Sequence, residues 1–192
     1  MALRKRGFVS VGAVVACCAL AAACSPDQAP ASTPSPTPVA VTTAESQIER
    51  QMRLDYEAAE EAYRAALAER ERQANLGIAQ QTPALKASAT GAYLDLVLKA
   101  LQYAHDRRWR SSGSTQILAV VPNGWKERTV RLIACEDSSR VHLIDEAGND
   151  VTSQDIRTYV QDLSVEDIGG RWKVADVSTT VVKSFEGQPC AA

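Results

Sequence analysis

An α+β domain, with N-terminal helices packed against an antiparallel β-sheet, is the fold class the sequence predicts. Three observations predict it. Residues 45–76 carry apolar side chains at three- and four-residue steps, the period of an amphipathic helix. After Ser114 the pattern changes to short β-rich runs bounded by turn residues. The helical patterns come first and the strands follow, an order that favours a sheet burying one face against helices.

In the first helical region Ile48, Met52, Tyr56, Ala59, Tyr63, Ala66 and Leu67 share one face. The opposite face is charged, with Glu49/Arg53 and Glu60/Arg64 spaced four apart as stabilising pairs. Gly77 is a natural stop. The Met/Tyr stripe reads as core rather than as a ligand-contacting face. A second helical region spans residues 83–108. Thr82-Pro83 suits its start, because proline's missing N–H costs nothing in a first turn. Leu94, Val97, Leu98 and Leu101 form its apolar face beside Tyr93, and Gly91 is where it would divide. Arg107, Arg108 and Arg110 crowd its end, where cations complement the helix dipole. They read as capping charges rather than as a phosphate site.

The strand runs are 116–121, closed by the turn signal Pro122-Asn123-Gly124; 127–135, with Val130, Leu132 and Ala134 on one face; 140–145; 158–168; and 171–182. Gly169-Gly170 between the last two is a strong hairpin signal.

The chain opens with a compact positive cluster, Arg4, Lys5 and Arg6, followed by sixteen uncharged residues from Phe8 to Ala23. That is short of the ~20 apolar residues that span a bilayer, and it suits a signal-peptide core ending in small residues. Leu20-Ala21-Ala22-Ala23-Cys24 resembles the lipobox of bacterial lipoproteins, which implies cleavage before Cys24 and a lipid on its thiol. Cys17 and Cys18 compete for that role. Cys24 is preferred because it sits where the apolar run turns polar. An uncleaved signal anchor and a cleaved, soluble secreted protein are the alternatives. Residues 1–23 are thus expected to be a signal peptide and 24–43 a tether, holding Pro26, Pro30, Pro34, Pro36 and Pro38 among Ala, Ser and Thr. Such a composition buries no core and favours extended polyproline II. Residues 44–192 form one domain, a length that suits a single core.

Loss of the three basic residues with the leader takes the net charge from −2 to −5. An acidic chain does not attract nucleic acid, whose binding rests on phosphate neutralisation. Cys135 and Cys190 are the two cysteines left in the folded part, and an oxidising compartment predicts a disulfide between them. Closing so long a loop would contribute roughly 4 kcal/mol on the chain-entropy estimate.

The order of elements, together with Thr129-Val130-Arg131-Leu132-Ile133-Ala134-Cys135-Glu136-Asp137-Ser138-Ser139, Gly169-Gly170-Arg171-Trp172-Lys173-Val174 and Cys190, resembles the nuclear transport factor 2-like superfamily. This is the ketosteroid isomerase-like or SnoaL-like cone fold. The Cys-x-Asp-Ser turn with a C-terminal cysteine is similar to uncharacterised actinobacterial lipoproteins. The resemblance covers about residues 45–190 and implies helices closing over a strongly curved sheet, with Trp172 in the core. Enzymes of the superfamily place acidic, histidine or tyrosine side chains inside the cone. With Trp172 and Val174 inward, Asp176 falls on the same face if the register holds, a weak candidate for a general base. It points outward if a bulge intervenes.

His105-Asp106 are sequence neighbours on a helix and do not face each other. His142 alternates out of the Val141/Leu143 face. Asp137 reads as turn chemistry. Two histidines without a second ligand at metal spacing give no zinc site, and no cofactor motif is present. The expected function is a membrane-anchored, extracytoplasmic, non-catalytic binding or assembly domain, joined to membrane lipid through Cys24 and facing a cell-envelope protein partner. The alternative is a small-molecule-binding protein or isomerase/lyase-type enzyme using the cone cavity. No oligomeric state is legible.

Overall fold

A computed structural model describes residues 45–153 and 157–189. Cys17, Cys18, Cys24, the tether and Cys190 lie outside the described residues.

Helix α1, Gln47–Leu76, begins at a capping box in which the Glu49 N–H donates to Ser46 Oγ at 3.2 Å and the Ser46 N–H donates to Glu49 Oε2 at 2.8 Å. It ends at Gly77 in the left-handed region. The second helical region is two helices, α2, Pro83–Ser88, and α3, Gly91–Asp106. The division falls at Ala89 and Thr90, just before the expected glycine. There the Thr90 N–H donates to Val174 O at 2.8 Å, so the chain leaves helical geometry to pair with a strand.

The strands form two sheets. β2, Gln116–Lys126, β3, Thr129–Asp137, β5, Thr158–Asp167, and β6, Trp172–Val182, make a curved, unclosed antiparallel sheet in the order β2-β3-β5-β6. β1, Arg110–Ser112, pairs with β4, His142–Ile144, as a separate ribbon. The fold class is therefore the α+β arrangement expected. Three details differ. Strand β1 had no alternation long enough to reveal it. The 140–145 run joins β1 rather than the main sheet. Pro122-Asn123-Gly124 is not a turn: β2 runs through it with a register shift between Pro122 and Gly124, and the reversal comes at Glu127 and Arg128. An edge strand tolerates proline because its outer N–H has no ladder partner.

Register shifts at Ile117/Ala119, Pro122/Gly124 and Ser164/Val165 bend the sheet. The helices pack on its inner face through Ala59, Ala66, Leu85, Tyr93, Val97, Val130, Leu132, Leu163, Val165 and Val174, all buried. The inward assignments of Val130, Leu132, Ala134 and Val174 hold. Ile48 leaves the stripe, with 68% of its surface exposed, because the first turns of α1 extend past the core.

Candidate functional site

A pocket of about 720 Å³ opens between α1, α3, the β1–β4 ribbon and the ends of β3, β5 and β6. Its most buried polar groups follow from simple periodicity. Tyr63 and Arg70 are seven residues apart, two helical turns, so both face the sheet from α1. Glu136 continues the inward Val130, Leu132, Ala134 alternation by one step. Gln161 continues Leu163 and Val165 in the same way on β5.

Tyr63, Glu136, Gln161 and Thr179 form a directed chain of hydrogen bonds. The Tyr63 hydroxyl donates to Glu136 Oε1. Gln161 Nε2 donates to Glu136 Oε2 at 3.1 Å, and Thr179 Oγ1 donates to Gln161 Oε1 at 2.5 Å. The Glu136 carboxylate, only 2% exposed, is thus held on both oxygens. Burial first, then the Glu136 charge, pushes the Tyr63 phenol far above its ordinary range, so it stays a donor at any physiological pH. Burial raises Tyr93 as well, against the opposing pull of Arg70. Burial works against the Arg70 charge, but the fields of Tyr93, Glu136, Tyr63 and Glu71 outweigh it and hold the guanidinium above its usual value.

The rim is built separately. Glu71 accepts from the Thr115 N–H at 2.6 Å, and the Thr115 and Ser138 hydroxyls lie 3.0 Å apart. Arg157 donates to Val141 O. Leu101, Trp109, Val141, Leu143 and Val151 supply apolar wall. The pocket therefore offers two carboxylates, Glu136 and Glu71, two guanidinium groups, Arg70 and Arg157, and an apolar flank to whatever enters. Among the described residues no group of three or more His, Cys, Asp or Glu converges as a metal shell.

None of Glu136, Gln161, Arg70 and Thr179 stands out in the sequence as a site residue. The second strand run, 127–135, stops one residue short of Glu136. Tyr63 was placed in the core, where it is, but its hydroxyl end belongs to the site.

Asp176 does not reach the pocket. Ser164 pairs with Asp176 while Val165 pairs with Val174, leaving Ala175 as an extra residue that flips the parity of β6. Asp176 is exposed and accepts from the Val177 N–H at 2.9 Å. His105 Nδ1 lies 2.8 Å from Gly77 O, tying α3 to the end of α1. His142 lies on β4, its Nδ1 2.7 Å from Asp150 Oδ2 at the surface. Asp137 accepts from the Ser139 N–H at 2.8 Å, the turn contact expected of it. Of the arginines after α3, Arg107 stacks on the Tyr103 ring at 3.5 Å and Arg108 pairs with Glu146 at 3.0 Å. Cys135 is buried on β3, and its expected partner, Cys190, lies outside the described residues.

No family model and no curated protein matches the chain. Two solved structures are similar in outline. One is the intermembrane space region of chloroplast protein ARC6, with 14% identity and a TM-score of 0.46, covering 67% of this chain and 98% of that one. The other is a protein provisionally described as an aromatic ring hydroxylase from Novosphingobium aromaticivorans, with 9% identity and a TM-score of 0.48, covering 69% of this chain and 95% of that one. Both likenesses are low in identity and partial in superposition, and neither decides the chain's chemistry.

Proposed function

We propose that this chain is a lipoprotein held at the extracytoplasmic face of the cell membrane through Cys24, whose folded part is a nuclear transport factor 2-like domain that binds a small organic molecule without transforming it. The observation that carries the binding reading is the 720 Å³ pocket floored by Glu136 and Gln161, a size within the roughly 300–1,000 Å³ range of ligand sites. The leader, the lipobox-like Leu20–Cys24 segment and the proline-rich tether support the anchor. A proline-rich stretch of that length would reach on the order of 60 Å if extended as polyproline II at ~3.1 Å per residue. In this reading Cys190 is the partner of Cys135 and pins the C-terminal segment to β3.

Two measurements test it. Cys24→Ala should move the protein from the membrane fraction to the soluble fraction; retention in the membrane would defeat the anchor. Native mass spectrometry of the full chain isolated from membranes should reveal a small-molecule adduct that disappears in Ala104→Trp, which fills the pocket from α3. An adduct that persists in that variant would place the ligand elsewhere.

A second reading, assembly with a cell-envelope protein, is favoured by Ile48 and Leu54 of α1, exposed at 68% and 46%. Photo-crosslinking from Leu54 on intact cells tests it, and recovery of bulk lipid neighbours alone would count against it.

A further inference from the structure

Arg70 is unusual among the arginines of α1. Arg53, Arg64 and Arg72 each hold a glutamate on the same helix at 3.1 Å or less. Arg70 lines the pocket, half-buried, and among the described residues it forms neither a hydrogen bond nor an ion pair. Glu136 and Glu71 are the opposite charges that act on it; both Glu136 oxygens are taken by Tyr63 and Gln161, and Glu71 accepts from the Thr115 N–H. Glu136 therefore supplies a favourable field for Arg70 without occupying its N–H groups. A guanidinium presents five donors in a planar fork that suits carboxylate and sulfonate geometry. Holding such a fork at a partly desolvated wall with no acceptor is costly, and an incoming anion removes that cost.

The rest of the lining fixes what the anion must be attached to. Leu101, Trp109, Val141, Leu143 and Val151 give the pocket an apolar wall, and 720 Å³ is far more than an inorganic ion needs. We propose that the pocket takes an organic anion, its carboxylate or sulfonate docked on Arg70 and its apolar body lying along Leu101, Trp109 and Val141. This rests on the small-molecule-binding reading and names the chemical class.

The test uses the full chain held in phosphatidylcholine nanodiscs, with protein-free nanodiscs as the blank. Naphthalene-2-carboxylate, naphthalene-2-sulfonate and the neutral naphthalene-2-carboxamide are titrated by calorimetry. These probes share one apolar body and differ in charge. Both acids should bind saturably at one site, about tenfold or more tighter than the amide, the scale of a charge-assisted bidentate contact. Arg70→Met should bring acid and amide to within about twofold of each other, with the acids losing far more affinity than the amide. Arg70→Lys, which keeps the charge and loses the fork, should fall between. If Arg70→Met does not fold, the acid-to-amide ratio on the unaltered chain decides alone. Equal binding of acid and amide, or no saturable binding of either acid, overturns the organic-anion proposal. The mass-spectrometric adduct and its loss in Ala104→Trp separately decide whether the pocket binds any small molecule.

Discussion

Replacing Tyr63 by Phe removes one hydroxyl and nothing else from behind the pocket floor, where it donates to Glu136. The lost contact is a hydrogen bond to a carboxylate that is 2% exposed and, among the described residues, keeps Gln161 Nε2, at 3.1 Å, as its remaining partner. Hydrogen bonds to charged groups contribute about 1.5–3 kcal/mol, more than neutral ones, because the acceptor left behind is poorly solvated. The packing of the ring against the core is retained, so no cavity cost is added. For a domain of this size the loss corresponds to a drop of roughly 3–10 °C in Tm. Urea denaturation of the oxidised chain, followed by circular dichroism, should give a lower midpoint with an unchanged m-value. The decisive comparison is made in a Glu136→Gln background. There the acceptor is neutral, and Tyr63→Phe should cost about 1 kcal/mol less than in the parent. An effect below about 0.5 kcal/mol in the parent, or the same effect in both backgrounds, would refute a charged Tyr63–Glu136 contact as a stabilising element.

Two further outcomes follow from single contacts. Glu69, 8% exposed, accepts from Arg72, Gln73 and Thr82, and Arg72 foremost holds its carboxyl down at about 2 against an ordinary 4.5. Its folded value is below its unfolded one, so the stabilisation is complete above about 4.5 and drains away as pH falls toward 2. Denaturant titrations across that window should lose on the order of 2 kcal/mol from this group, a loss that Glu69→Gln removes. Gly113 sits at φ +82°, and a Cβ there would lie 2.1 Å from Arg140 O. Gly113→Ala should therefore cost about 1–3 kcal/mol, read as a lower Tm together with faster hydrogen exchange in the β1–β4 ribbon.

Much of the fold was legible because its signals are local. Helix α1 follows from a three-to-four-residue apolar period and ends at a glycine that can adopt positive φ. Inward residues of β3 follow from two-residue alternation, and the β5–β6 reversal from Gly169-Gly170. The misreadings lie where a local signal met a non-local partner. Pro122-Asn123-Gly124 has turn chemistry, yet on an edge strand with a bulge the ladder continues through it. Thr90 and Ala89 look helical in sequence, yet Val174 draws their backbone into sheet pairing. The Asp176 parity was sound until the bulge at Ala175 reversed it.

By itself, the sequence determined the α+β order, the core faces and the expectation of a lipid at Cys24, because periodicity, turn residues and leader composition act over a few neighbouring residues. Tertiary structure alone decided that Tyr63, Glu136, Gln161 and Thr179 meet, and that Arg70 faces the same pocket with no hydrogen-bond or ion-pair partner among the described residues. Tyr63 and Glu136 are 73 positions apart. No local pattern carries that distance; it is set by the curvature of the sheet and the packing angle of α1, which bring buried polar groups together only once the core has closed.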